Sequence, residues 1–580
     1  MSLFTFDSSH SIGRVRAVDT RTVTVQVNSD ADLRKARVGH LVALPLPGAV
    51  EDWLIGIIER VVKTPAPDDV GEATGGVVDP AAEMELPHES VLNTVRVTLV
   101  GTVGLDAENR RRFSRSLVQV PEIDGVLYIL RDAQLQVFMN LLSVEGKTEH
   151  SLEMGRYTVD DSAIAYIDGN KLLQRHAALL GSTGSGKSWT VASILEQAAA
   201  LPSSNLILFD LHGEYRELAY ARHLRIPGPE ELGRSDEPLL YLPYWLLNAE
   251  EMQAMFIDRS EFNAHNQVMA FQDTVVAEKK KALQAEGTPE ALKAFTLDSP
   301  IPFSLSNVIS ELRRLNDQMI PGARAGSEKK GPFSGEFDRL IPRLDSRITD
   351  KRYGFLFQVP PEANRYNAMA KMMTRLMDYS DSTGHVKVID FSEVPADILP
   401  IIVGLVARVI YQVQFWTDRS KRRPMAFVCD EAHLYLPKKE GTNPVEQRAV
   451  ENFEKIAKEG RKYGVALLIS SQRPSDVSAT ILSQCNNVVA LRLTNSDDQA
   501  AVRRLMPESL EGLMETLPIL DVGEALIVGD AVLLPSRIRL RRPVQPPLSA
   551  TINFWDEWSK DPDKPDFDKA VENMRRQNRE

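Results

Sequence analysis

The sequence predicts an α/β protein: a phosphate-binding core on a parallel sheet, a small N-terminal β-barrel ahead of it and a helical insertion within it. Three observations carry this. Residues 181–188 read Gly181-Ser-Thr-Gly-Ser-Gly-Lys-Ser188, between the apolar run His176–Leu180 and the helical stretch Trp189–Ala200. From Leu172 onward, apolar runs that end in polar residues alternate with helical stretches, as parallel strands buried on both faces require. Before residue 140, β-branched runs of period 2 alternate with turn-rich breaks, as in a small antiparallel barrel.

In chain order, the barrel strands are expected at 11–16, 21–27, 41–44, 53–62 and 93–103, with the Pro-, Gly- and acid-rich stretch 64–87 as a solvated loop. The parallel strands are expected at 177–180, 205–210, 386–391, 425–430, 465–470 and 487–492, their carboxyl ends forming the active edge. Residues 248–316, rich in Glu, Lys, Ala, Met and Leu, read as helices, and 321–335 as a Gly/Lys-rich loop. Residues 523–529 and 531–540 read as a hairpin turning on Gly529-Asp530, and a polar tail opens at Pro543. The expected segments are a barrel domain at 1–150, the core at 151–247 and 335–545, the helical insertion at 248–334 and the tail at 546–580.

Composition narrows the class. A chain of 580 residues exceeds what one hydrophobic core usually supports, so several domains are expected. Cys429 and Cys485 are the 2 cysteines, too few for a disulfide framework, which points to a reducing cytoplasm. The N-terminus lacks the basic flank of a signal peptide. The most apolar stretch, Ile398–Trp416, contains Pro400, Arg408 and Gln412 and reads as a buried helix, with no membrane partner expected. A formal net charge of −12 argues against nucleic-acid binding by the whole surface and leaves room for a local basic channel.

The phosphate loop sets the chemistry. Gly181 and Gly186 let the backbone curl so that its N–H groups point at phosphate oxygens, and the following helix adds its positive end. Ser182, Thr183, Gly184, Ser185 and Trp189 complete the stretch expected to contact the nucleotide, ATP. Lys187 would reach the β and γ phosphates, and Ser188 would coordinate Mg²⁺. Met425–Asp430 ends in a second acid, Glu431: Asp430 would hold Mg²⁺ through water, and Glu431 would deprotonate the attacking water. Glu214, in Asp210-Leu-His-Gly-Glu-Tyr215, competes for the base role, while His212 is equally an ordinary turn residue. Gln472 ends the strand beside the phosphate strand, and its amide can report the γ phosphate. Arg175 and Arg461 could reach a neighbouring subunit's γ phosphate; a solvated surface arginine is the competing reading of each.

Together, residues 181–188, Asp210–Tyr215, Val428–His433, Glu459–Gly464 and Ser471–Pro474 resemble the HerA branch of the HerA/FtsK ATPases. The resemblance implies a RecA-like core, a barrel of the HAS type and a homohexameric ring that threads double-stranded DNA. It implies ATP and Mg²⁺ as cofactors, with Arg175 and Arg461 near the subunit boundary. It also implies a separately encoded effector, a NurA-like or other nuclease or a sirtuin-like NADase, in DNA-end processing or antiphage defence. Basic clusters that could line a DNA channel are Lys279-Lys280-Lys281, Arg324 with Lys329-Lys330, and Arg347 with Lys351-Arg352. Two other readings compete: an ATP-binding ring that only scaffolds an effector, and a metabolic P-loop kinase, disfavoured by the barrel and the paired arginines.

Overall fold

Alternation builds the first element of the fold. In β2 (Thr22–Val27), Val23, Val25 and Val27 turn inward while the threonines and Gln26 face outward. Alternation recurs over parts of β1 (Ser11–Asp19), β5 (Val91–Leu105), β6 (Arg111–Ser114) and β7 (Val126–Ile129), whereas β3 (Leu41–Pro45) and the first half of β4 (Trp53–Pro65) are buried on both faces. These strands order as β2-β1-β7-β3-β4-β5-β6, and β2 also pairs with β5, which closes a six-strand antiparallel barrel. Gly13 sits where β1 shifts register, and a Cβ there would lie 2.2 Å from the Gln26 carbonyl oxygen, so only glycine permits the pairing. The short strands β6 and β7 have no counterpart among the expected ones.

The computed structural model describes the chain except residues 1–2, 28, 49–51, 66–90, 107, 118, 322–326, 379–383, 439–443, 508–509, 550–552, 561–566 and 577–580. Most of the expected loop 64–87, and Arg324, therefore lie outside the described residues.

The chain divides into two compact units, Met1–Leu172 with Asn487–Arg541, and Leu173–Asn486 with Arg542–Glu580. Beside the barrel, the first unit holds an antiparallel set in the order Asn487–Leu491, Glu524–Gly529, Ser536–Leu540, Ser151–Tyr157 and Asp160–Asp168. The expected run at 487–492 forms a strand, Asn487–Leu491, and Glu524–Gly529 pairs antiparallel with it, a direction that an apolar run does not signal. One expectation changes here. The hairpin does not turn on Gly529-Asp530: Ile527 pairs with Ser536, and Val528 and Gly529 pair instead with Val488 and Asn487.

The second unit is built on parallel strands in the order Ala221–Arg225, Val386–Asp390, Leu206–Asp210, Met425–Cys429, Val465–Ser471 and Ala177–Leu180. The last five are fully buried apolar runs, as the sequence predicts. Ala221–Arg225 was not expected: at the end of this order it needs no continuous apolar run, and Arg222 and His223 are only half-buried. The register levels the carboxyl ends, with Asp210 opposite Asp390, Cys429 opposite Phe209 and Ile469, and Leu180 opposite Ser471.

Helix Leu399–Trp416 is long and apolar enough to cross a membrane, yet 72% of it is buried in protein. Gly404 lets Pro444–Glu459 approach it, since a Cβ there would stand 3.0 Å from the Ala449 Cα. The insertion contains helices Ala249–Phe256, Ala264–Glu286, Pro289–Ala294 and Leu305–Asn316, then a small hairpin of Met319–Pro321 with Glu328–Lys330. The tail expected to be polar carries helices Phe554–Trp558 and Phe567–Arg576, with Trp555, Trp558 and Phe567 exposed.

Candidate active site

The strand Ala177–Leu180 delivers the chain into the loop 181–186 and then into helix Lys187–Ala199. Gly184 and Gly186 take positive φ, 71° and 110°, which bends the backbone around the space where phosphates would lie. The loop is pinned internally: Ser185 donates its hydroxyl to the Ser182 carbonyl at 2.7 Å, and Gly181 N–H donates to the Ser471 carbonyl at 3.2 Å. Lys187 is buried, and its Nζ lies 3.3 Å from the Ser182 carbonyl. Burial holds its ammonium below the usual range, opposed by the carboxylates of Glu431, Asp430 and Glu214. Ser188 is half-buried at the start of the helix, and Trp189 is 38% exposed beside it.

The Asp210–Tyr215 turn proves to be a structural clamp. Asp210 Oδ1 accepts from the N–H groups of His212, Gly213 and Glu214 at 2.8–3.2 Å, and Oδ2 from Tyr215 N–H at 3.1 Å. This curls the segment so that the fully buried Tyr215 donates its hydroxyl to Asp430 Oδ2 at 2.9 Å. Ser470 Oγ donates to Asp430 Oδ1 at 2.7 Å. Two hydroxyls thus fix Asp430, the acid expected to hold the metal, a role that sequence reasoning did not give to Tyr215 or Ser470. Their positions next to the strand ends were the available signal. Burial and the nearby Asp390 charge lift the Asp210 carboxyl to about 6 despite its four donors.

Glu431 leaves the strand Met425–Cys429 one residue beyond Asp430, in the left-handed region at φ 44°, ψ 44°. Such a conformation in a non-glycine residue costs on the order of 1–2 kcal/mol, and such outliers concentrate at functional sites. The turn brings the Glu431 carboxylate under the influence of Lys187, Asp430 and Glu214. Its Oε2 is buried without a hydrogen-bond partner; His433 Nδ1 lies 3.3 Å away without hydrogen-bond alignment. Glu214 Oε2 is orphaned in the same way. Burial, then the Asp430 charge, raises the Glu431 carboxyl to about 7 against the pull of Lys187. Gln472 Oε1 accepts the Thr183 hydroxyl, so the expected sensor touches the phosphate loop directly.

The two arginines stand elsewhere. Arg175 precedes Ala177–Leu180 and Arg461 precedes Val465–Ser471, at the ends of the strands opposite the phosphate loop. Strands of 4 and 7 residues separate the two edges by roughly 13 and 23 Å. Both arginines are exposed. Neither is brought to its own chain's loop.

Of the expected DNA clusters, Lys279 is a correction: it is buried, donating to the Leu297 and Ser299 carbonyls at 2.7 Å each. Lys281 pairs with Glu278, Arg347 with Asp397 and Arg352 with Asp350. Lys329 and Lys330 remain exposed on the small hairpin.

Among the described residues no group of three or more His, Cys, Asp or Glu is placed to hold a metal ion. The residues do fit a Mg²⁺ that arrives with nucleotide phosphates, which needs few protein ligands. Ser188 and Asp430 would hold it, and the orphaned oxygens of Glu431 and Glu214 mark where water or cation is wanted.

Two family descriptions match the chain, "Helicase HerA, central domain" over residues 152–410 and "Helicase HerA-like C-terminal" over 380–556. The DNA double-strand break repair helicase HerA of Pyrococcus furiosus is 25% identical over 421 residues, covering 67% of this chain and 69% of the relative. The protein of the same name from Saccharolobus solfataricus is 28% identical over 395 residues, covering 67% and 68%. Among solved structures, the bacterial conjugative coupling protein TrwB is similar with a TM-score of 0.43 at 14% identity, over 71% of this chain and 93% of its own.

Proposed function

The chain belongs to the HerA family of ATP-hydrolysing helicases, and we propose that it assembles into a homohexameric ring that couples ATP hydrolysis at subunit interfaces to movement along double-stranded DNA. One observation carries this reading. Glu431, turned by a left-handed residue conformation beside Lys187, has an orphaned carboxylate oxygen and a carboxyl raised to about 7. A scaffold that only bound ATP would have no need of such a base. Glu431 deprotonates the attacking water, Asp430 and Ser188 hold Mg²⁺, Lys187 neutralises phosphate charge and Gln472 senses the γ phosphate through the loop. Arg175 or Arg461 of one subunit enters its neighbour's site, a reading supported by their distance from their own loop.

The ring works in the cytoplasm with a separately encoded effector, a NurA-like or other nuclease or a sirtuin-like NADase, in DNA-end processing or antiphage defence. DNA contacts come from the exposed Lys329 and Lys330 at the ring's lumen, repeated in each subunit. The test is ATPase activity of the assembled protein with and without duplex DNA across a salt series. Stimulation that falls with salt is expected. A flat response would return the protein to the scaffold reading.

A further inference from the structure

The N-terminal unit holds a cavity of about 690 Å³ that shares no residue with the site just described. Its size lies in the range of sites for small organic ligands. Part of the lining is apolar, with Leu41, Ile57, Leu135 and Leu513. The charged part carries Arg37, Arg131, Arg537 and Arg539 against Asp132 and Glu524. Glu524 is already engaged, accepting from Arg537 Nε at 2.9 Å with Arg539 3.9 Å away. Arg131 gives one nitrogen to the Lys35 carbonyl at 2.6 Å, and Arg37 is exposed.

His40 supplies the second observation. Its ring N–H is directed to the Lys35 carbonyl, while Nδ1 is buried with no hydrogen-bond partner. Burial, then the Arg131 and Arg37 charges, holds the imidazole below its usual range, and Nδ1 stands in the cavity wall without a partner. Helix Asp132–Gly146 also begins at this wall, without a side-chain cap from Arg131, so its first N–H groups add positive potential.

A ligand suited to this lining brings negative charge for Arg37, Arg131 and the helix end, a hydroxyl or amine to partner His40 Nδ1, and a flat apolar body for the leucine wall. Inorganic phosphate lacks the body, and a fatty acid lacks the hydroxyl or amine. A nucleoside phosphate has all three. We propose that this cavity is a second, non-catalytic site for a nucleoside phosphate, separate from the phosphate loop.

The experiment uses the full-length Lys187→Ala protein, in which the phosphate loop is disabled, titrated calorimetrically with ADP, adenosine and inorganic phosphate. Residual ADP binding is expected, tighter than that of either fragment. Arg37→Glu, a change at an exposed side chain, should weaken it by at least about tenfold, the order of a lost charge-assisted contact, with unliganded melting unchanged. His40→Leu should weaken it as well. The proposal is overturned if ADP does not bind at millimolar concentration, if binding ignores Arg37→Glu, or if inorganic phosphate binds as tightly as ADP.

Discussion

The Tyr215 hydroxyl donates to Asp430 Oδ2 at 2.9 Å, tying the Asp210–Tyr215 turn to the acid expected to hold the metal. Tyr215 is fully buried, so its hydroxyl has no water to fall back on. Removing it in Tyr215→Phe leaves Asp430 with the Ser470 hydroxyl alone, and a hydrogen bond to a charged group is worth about 1.5–3 kcal/mol. We expect Tyr215→Phe to lower turnover by roughly tenfold or more and to raise the Mg²⁺ concentration needed for half-maximal rate, with the protein still folded. Steady-state ATPase assays across a Mg²⁺ series check this. Unchanged Mg²⁺ dependence would reduce Tyr215 to a packing residue.

That link also marks where the sequence stops being legible. The phosphate loop, the acid pair and five of the buried strands are contiguous patterns, and the structure forms each of them. What the sequence hides depends on direction or on partners distant in the chain. Asn487–Leu491 is apolar whichever way it pairs, and Ala221–Arg225 lies at one end of its strand order and so lacks the apolar run. Lys279 sits in a charged tripeptide, yet it shares a four-residue spacing with Val275 and Leu283 on the buried face of Ala264–Glu286. Asp210 reads as one more active-site acid, and only the backbone curl reveals that its oxygens are filled by N–H groups.

Glu431 gives a pH prediction with opposite signs for stability and rate. Its folded carboxyl, at about 7, lies above the ordinary 4.5, so the folded protein holds the proton more tightly than the unfolded chain. That contribution to stability is fully present below the ordinary value and is lost as pH rises through about 7. Catalysis needs the carboxylate, so kcat/KM should climb across the same interval. Glu431→Gln should still bind ATP, turn over ~10²–10⁴-fold more slowly and lose this part of the fall in melting temperature between pH 6 and 8. Near-normal turnover would move the base to Glu214.

Lys329 and Lys330 sit exposed on the hairpin Met319–Pro321 and Glu328–Lys330. If they meet DNA phosphates, a Lys329→Glu, Lys330→Glu double variant should keep its basal ATPase and lose DNA stimulation. The slope of log affinity against log salt should become shallower by about 0.9 for each phosphate contact removed. Filter binding with duplex DNA over a salt series measures both. An unaltered slope would place the DNA path elsewhere on the subunit.

Arg175 and Arg461 precede adjacent strands at the edge opposite the phosphate loop, so neither can serve the site of its own chain. A trans role therefore makes a prediction that a local role does not. Arg461→Ala and Arg175→Ala should each be tested for ATP binding, which is expected to survive, and for turnover, which is expected to fall about 10³-fold or more in the variant that removes the inserted arginine. Lys187→Ala protein cannot use its own loop but still presents both arginines. Mixed with the inactive arginine variant, it should restore part of the activity, because a functional loop then meets an intact arginine across some interfaces. Recovery with one arginine variant and not the other identifies the inserted residue. No recovery in any mixture, with mixed assembly verified by size, would remove the trans arginine from the mechanism.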